Sequence, residues 1–244
     1  MKVYAMTKQG NHDENEDRIL IGDVILTGGS FETEIDGDTK ICIADGVGGN
    51  NAGAVASDYL CKRLKTTDTI NRDDLLCINA DLIQKSNESA QYSGMASTLS
   101  GMAIKAGKID MFHVGNTRIN VFRGSYLKQL TEDHTNVNWL VKTGKLTKSQ
   151  AETYEKRNEI NACFGGGNPA LINSLCFEED NETLKNAKKI VLTSDGIHEY
   201  VSIDDLEEIL SDESINPLYA CEMIVSKAIE NGSEDDKSIV IIYR

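Results

Sequence analysis

Four acidic corners punctuate the chain, each where an apolar run meets a turn. They are Glu16 and Asp17 in Asn15-Glu16-Asp17, Asp45 in Ile43-Ala44-Asp45-Gly46-Val47-Gly48-Gly49, Asp195 in Leu192-Thr193-Ser194-Asp195-Gly196, and Asp235-Asp236 ahead of Lys237-Ser238-Ile239-Val240. Carboxylates gathered at close quarters repel one another, so a site built from them either protonates some of its members or holds cations. An oxygen-only ligand set selects hard ions, Mg²⁺ or Mn²⁺, over zinc. Two such ions roughly 3.5–4 Å apart share a bridging water, lower its pKa and neutralise charge developing on a phosphoryl group. Each corner alone is weak, because Asp-Gly is a common turn and Asp235-Asp236 also reads as a solvated acidic loop. Their conjunction carries the expectation of phosphate chemistry. The glycines after Asp45 allow a backbone carbonyl to approach a metal, and Asn50 or Asn51 is expected to cap the helix that follows.

Short β-type runs surround these corners. Strands are expected at Lys2 to Thr7, Arg18 to Ile21, Val24 to Thr27 and Thr39 to Ala44, with the acidic stretch Phe31 to Asp38 read as turns. Helical spacing follows at about Asn51 to Lys65 and Asp73 to Ser89. An antiparallel meander comes next, with strands at Ala96 to Ile104, Ile109 to Val114, Arg118 to Arg123 and Tyr126 to Leu130 separated by glycine-containing turns. A more polar stretch, about 131–168, has short helical patterns around Trp139 and Tyr154 and reads as a lid-like insert. Strands at Leu171 to Phe177 and Lys189 to Thr193, helices at Ile203 to Leu210 and Pro217 to Glu230, and a strand at Ser238 to Tyr243 complete the chain. Strands and helices grouped in this way imply an α+β fold of antiparallel sheets covered by helices, not a doubly wound sheet. One domain over residues 1–244 is the expectation.

Charge narrows the partners. The 244 residues carry a net charge of −14, which argues against non-specific attraction to nucleic acid or to an anionic membrane. The N-terminal residues lack the apolar stretch of a secretory signal, so a cytoplasmic, monomeric protein is expected. The six cysteines are scattered without Cys-x-x-Cys or paired-histidine spacing, which speaks against a disulfide framework and against zinc. His113 and His198 read as structural, and Trp139 and Tyr154 as packing residues of the insert.

The residues resemble the metal-dependent PPM/PP2C protein serine/threonine phosphatases in their bacterial form. The likeness runs from about Gly10 to Ile242. It rests on the four corners together with Gly94-Met95-Ala96-Ser97-Thr98-Leu99, His113-Val114-Gly115-Asn116-Thr117-Arg118 and Thr131-Glu132-Asp133-His134. The resemblance implies a four-layer α-β-β-α sandwich, two central antiparallel sheets flanked by helix pairs. It implies that Asp45 bridges two Mn²⁺ or Mg²⁺ ions, that the Gly46 carbonyl holds one, that Asp195 and Asp235 hold the other, and that Glu16 or Asp17 binds a metal or orients its waters. A bridging hydroxide would attack phosphorus in line and expel the serine or threonine alkoxide. The substrates implied are phosphorylated proteins, in opposition to a Ser/Thr kinase.

Four positions depart from the family pattern. His12 or its neighbours stand where many relatives place a phosphate-binding arginine, so His12 is the candidate phosphate contact. Asn116 replaces an aspartate associated with a third metal, so a third ion is expected to be weak or absent. Val47 stands where animal relatives carry a histidine, and Asp236 replaces the commoner asparagine. These losses raise the alternative of a catalytically weak binding or regulatory module. Retention of every acidic position of the two-metal core favours the enzyme.

Overall fold

The computed structural model describes residues 1–48 and 52–244. Gly49 and the expected cap at Asn50 or Asn51 lie outside the described residues. In chain order the first elements are β1 (Lys2–Lys8), β2 (Asp17–Ile21), β3 (Val24–Leu26), β4 (Gly29–Glu34), β5 (Thr39–Val47), α1 (Ala52–Thr66) and α2 (Arg72–Ser86). Then come β6 (Ala96–Ser97), β7 (Leu99–Lys105), β8 (Lys108–Val114), β9 (Arg118–Arg123), β10 (Tyr126–Gln129), α3 (Asn136–Lys142), α4 (Lys148–Glu152), β11 (Phe164–Gly165) and β12 (Cys176–Glu178). The chain continues through α5 (Glu182–Asn186), β13 (Lys189–Thr193), α6 (Asp195–His198), α7 (Ile203–Ser211), α8 (Pro217–Glu230) and β14 (Lys237–Tyr243).

Alternation along the strands decides how these elements stack, because successive side chains of a strand point to opposite faces. One sheet runs β10-β9-β13-β14-β1-β4 and the other β11-β6-β5-β7-β8-β12, with β2 also paired to β5 and β3 to β2. Val3, Ala5, Ile41, Ile43, Ile190, Leu192, Val240 and Ile242 fill the space between the sheets. The opposite face of β5, Cys42 and Ala44, packs with Leu60 and Leu64 of α1 and Leu75 and Leu82 of α2. Val191, Ile239 and Ile241 turn outward in the other sheet and pack with Leu206 of α7 and Ile224 and Val225 of α8. The result is the expected α-β-β-α sandwich, with three apolar layers between four layers of structure. Local signals agree with it: Asn71 and Asp74 form a reciprocal capping box at the start of α2, and Asn216 caps α8 with Pro217 in its first turn.

Continuing the same period to the strand ends places polar residues in register with the inter-sheet core. Asp45 follows Ile41 and Ile43, Asp17 precedes Ile19 and Ile21, Thr7 follows Val3 and Ala5, Ser194 follows Ile190 and Leu192, and Ser238 precedes Val240 and Ile242. The apolar layer between the sheets therefore ends in a group of hydroxyls and carboxylates.

Several expectations are corrected. Gly29–Glu34 is not a turn but an edge strand on β1. Phe31 packs against the inter-sheet core while Glu32 and Glu34 of that strand are less sheltered, and charged residues are what a solvated edge tolerates. The expected strand at Leu171 to Phe177 is mostly irregular, because Asn168 caps a 3₁₀ turn over Pro169–Ile172 and only Cys176–Glu178 pairs with β8. The strand expected from Ala96 to Ile104 is interrupted at Thr98, whose amide donates to the Asp45 carbonyl at 2.8 Å. α4 ends at Glu152, before Tyr154. The stretch 131–168 is not wholly an insert, since Phe164–Gly165 joins the second sheet through β6. No helix among the described residues is long and apolar enough to cross a membrane.

Candidate metal centre

Asp17 and Asp45 face each other across the β2–β5 ladder. Asp17 is buried, and its Oδ2 accepts a hydrogen bond from Ser194 Oγ at 2.8 Å. Ser194 Oγ in turn accepts the Ser238 amide at 2.9 Å, and Ser238 Oγ donates to Thr7 Oγ1 at 2.8 Å. These hydroxyls tie the ends of β1, β2, β13 and β14 together directly beneath the acidic group. Asp195 opens α6, and its Oδ2 accepts from Asn116 Nδ2 at 2.7 Å. Asn116 is placed there by Gly115, whose positive φ and contact with Thr98 (2.4 Å for an added Cβ) permit only glycine.

Asp235 and Asp236 split their work. Asp236 turns inward and accepts the Gly10 amide at 2.7 Å and the Glu16 amide at 2.6 Å, fastening the loop before β2 to the loop before β14. Asp235 faces an open cleft of about 530 Å³ that His12, Glu16, Asp45, Gly46 and Asp195 also line. Five expected ligands, Glu16, Asp45, Gly46, Asp195 and Asp235, thus converge on one cleft with His12 at its margin. Asp17 does not line it but lies buried alongside Asp45.

Electrostatics in this group run against ionisation. Burial pushes the Asp45 and Asp17 carboxyls well above the usual carboxylate range, and neighbouring aspartates push further; for Asp17 the hydroxyls of Ser238 and Ser194 act in the opposite sense. Asp195 is pushed up to about 6, chiefly by burial and then by the charge of Asp235. Glu16 is raised by burial, against the opposing pull of His12 and the Ala54 amide. Among the described residues no lysine or arginine forms an ion pair with Asp17, Asp45, Asp195 or Asp235.

The donor set fits hard divalent cations. It is made of oxygens, it lacks protein counter-charges, and Asn116 Oδ1 is a buried acceptor without a hydrogen-bond partner. Gly46 adds a backbone carbonyl at a point where no side chain fits: an added Cβ would sit 2.3 Å from the Gly53 carbonyl and 2.8 Å from the Glu16 carbonyl. His12 Nδ1 lies 3.6 Å from Asp236 Oδ2 and 3.9 Å from Glu16 Oε2, half exposed.

The other histidines stay out of this chemistry, as expected. His113 joins Ser100 Oγ at 2.7 Å and the Glu132 carbonyl at 2.7 Å, and burial pushes its imidazole down to about 4. His198 is held by Thr193 Oγ1 at 2.9 Å. What the motif-based reading missed is the opposite wall of the cleft, Asn136, Asn158, Glu159 and Ile160, and the supporting hydroxyls Thr7, Ser194 and Ser238. Strand parity carried a signal for the hydroxyls. No local pattern marks the wall, which is placed by the isolated bridge Thr135–Ile160.

Two antiparallel sheets between helix layers, with a group of carboxylates where the inter-sheet core ends, are the frame and site that comparison with known proteins assigns to a class, the protein phosphatases. The family model described as protein phosphatase 2C matches residues 30–229, and the chain belongs to that family of enzymes. Protein phosphatase PhpP of Streptococcus pneumoniae is 29% identical over 219 residues, 84% of this chain and 86% of that protein. Serine/threonine phosphatase stp of Listeria monocytogenes is 25% identical over 230 residues, 89% and 88% of the two chains. The solved structure of the S. agalactiae serine/threonine phosphatase superposes with a TM-score of 0.80 at 27% identity, covering 100% of this chain and 99% of that one.

Proposed function

We propose that this chain is a metal-dependent phosphoprotein phosphatase acting on phosphoserine and phosphothreonine, in opposition to a Ser/Thr kinase. The observation that carries the reading is the convergence of Glu16, Asp45, Asp195 and Asp235 on one cleft, with the buried members unpaired by lysine or arginine, in a member of the protein phosphatase 2C family. Asp45 with the Gly46 carbonyl, Asp195 and Asp235 would hold two ions, Mn²⁺ or Mg²⁺, and Glu16 would complete the set. Bound there, such ions supply neutralisation of phosphate charge and an acidified water for in-line attack. Asp17, locked by Ser194, fixes the end of β2 against Asp45. Asn116 orients Asp195, and Asp236 holds Glu16 and Asp235 in their loops. Val47, at the cleft, offers no proton, so the departing alkoxide takes one from water.

The direct test is hydrolysis of p-nitrophenyl phosphate with Mn²⁺ and with EDTA, followed by phosphopeptides bearing Ser, Thr or Tyr. Activity indifferent to EDTA would refute the metal centre, and equal turnover of phosphotyrosine would refute the residue class. His12, at the margin of the cleft, is proposed to donate to the substrate phosphate. His12→Ala is therefore expected to raise KM by about tenfold with a smaller change in kcat, the size of one hydrogen bond to a charged group. An unchanged KM removes His12 from the phosphate site.

Asn116 gives a separate prediction. Its amide donates to Asp195, whereas an aspartate there would set carboxylate against carboxylate. Isothermal titration with Mn²⁺ is expected to show two sites in the wild type and an additional weak site in Asn116→Asp. A third site of equal strength in the wild type contradicts this.

A further inference from the structure

A second cleft, of about 560 Å³, opens beside the carboxylate cleft and is continuous with it through Asn116 and Asn158, which line both. Its core-side wall is charged, and those charges already have partners. Arg118 Nε donates to Asp133 Oδ1 at 3.0 Å and to Oδ2 at 3.1 Å, and Arg118 lies 3.7 Å from Glu199. Arg157 Nε pairs with Glu199 Oε2 at 3.0 Å. Asp133, His198 and Glu199 each place a ligand-type atom within 4.8 Å of the others, but the Arg118 guanidinium pairs with both carboxylates, so this cluster already holds a cation of its own. An acidic or phosphorylated group entering here would have to displace a bidentate pair.

The facing wall has the opposite character. Val137 and Val141, one helical turn apart on α3, and Ala151 on α4 line the cleft, with Lys148 and Glu152, one charge of each sign, exposed on α4 beside them. Neither helix buries a single residue fully, so the apolar face they share is only half covered. A half-covered apolar surface that runs into a catalytic cleft is a place for apolar matter that arrives with the substrate.

We infer that this cleft is a specificity subsite for the substrate polypeptide, in which an aliphatic or aromatic side chain flanking the phosphoresidue packs on Val137, Val141 and Ala151. The inference rests on the phosphatase reading above. A phosphoresidue that reaches the carboxylates brings its flanking residues to the surfaces around their cleft, of which this one adjoins it through Asn116 and Asn158. The adjoining groove, apolar on Val137, Val141 and Ala151 and charge-paired on its core side, receives the neighbouring residue. Acidic neighbours gain nothing from Arg118 and Arg157, which are already paired, and the charge of Lys148 on α4 is offset by Glu152 one helical turn on. Burial of one leucine side chain in such a groove is sufficient for about a tenfold gain in kcat/KM.

The test is a set of phosphoserine peptides that place Leu, Ser, Asp or Lys in turn at each of the three positions on either side of the phosphoserine, with p-nitrophenyl phosphate as a substrate lacking flanking residues. Leu is expected to raise kcat/KM about tenfold over Ser at one of these positions. Val141→Asp and, separately, Val137→Asp are expected to erase that preference while leaving p-nitrophenyl phosphate turnover unchanged, which also reports that each variant is folded. Normal turnover with no positional preference, with a preference for Asp, or with a Leu preference that survives both substitutions overturns the subsite. Absence of p-nitrophenyl phosphate turnover in the wild type overturns the phosphatase reading itself.

Discussion

Asp45→Asn is expected to lower Mn²⁺-dependent hydrolysis of p-nitrophenyl phosphate by on the order of 10³-fold, the largest loss of any single substitution in the protein. The reason is position. Asp45 ends the inter-sheet row of β5, faces Asp17 across the ladder, and feels the charges of Asp195, Asp17, Asp235 and Asp236. No other carboxylate is central to the whole group. Electrostatic stabilisation worth several kcal/mol depends on the cations it would hold, and each 1.36 kcal/mol is a factor of ten in rate. The same change relieves repulsion in the metal-free protein, so the variant is expected to melt no lower than the wild type in EDTA. Loss of activity with retained stability separates a functional carboxylate from a structural one. Wild-type turnover in Asp45→Asn would end the proposal.

The second large effect is a reversal in how stability depends on pH. Asp17, Asp45 and Asp195 all have folded-state values raised above their ordinary ones, so each stabilises the fold while protonated and ceases to do so once the pH passes its raised value. For Asp195 that contribution is complete below 3.8 and is lost as pH rises through about 6. Its size is roughly 3 kcal/mol, or about 6–12 °C in Tm for a domain of this size. In EDTA the Tm is therefore expected to fall as pH rises from about 4 to about 6. With saturating Mn²⁺ it is expected to rise over the same interval, because cations bind the deprotonated carboxylates. Differential scanning fluorimetry of the two conditions checks this, and Asp195→Asn is expected to flatten the EDTA curve. A Tm that rises with pH in EDTA would show that these carboxylates are not held protonated by the fold.

Much of this arrangement was legible in the residues because two periodicities were strong. Short apolar runs in β1, β5, β13 and β14 and helical spacing in α1, α2, α7 and α8 are plain in the residues, and the acidic corners sit at the ends of several of them. Phe31-Glu32-Thr33-Glu34 reads as a turn in sequence because an edge strand with one solvated face is allowed the acidic composition of a turn, and only its pairing with β1 distinguishes the two. Glu16 and Asp17 were not separable from sequence. Glu16 ends the loop before β2 and Asp17 opens the strand, and which of the two meets the cleft depends on the Asp17–Ser194 bond across to the other sheet. The wall formed by Asn136 and Asn158–Ile160 was invisible for the same kind of reason. It is long-range geometry, fixed by the bridge between Thr135 and Ile160 rather than by any local pattern.

The position of β14 bears on how the molecule is made. The strand that comes last in sequence is not at the rim of its sheet but in the middle, hydrogen-bonded on one side to β1 and on the other to β13, and Asp235 and Asp236 lie immediately before it. A ribosome delivers the partners of this strand long before the strand itself, so β1 must wait through more than two hundred residues of synthesis for its neighbour. Until then neither the sheet nor the group of carboxylates at its end can close. A chain cut short of Asp235 lacks the centre of this sheet and part of the carboxylate group, and is expected to be inactive toward phosphate esters.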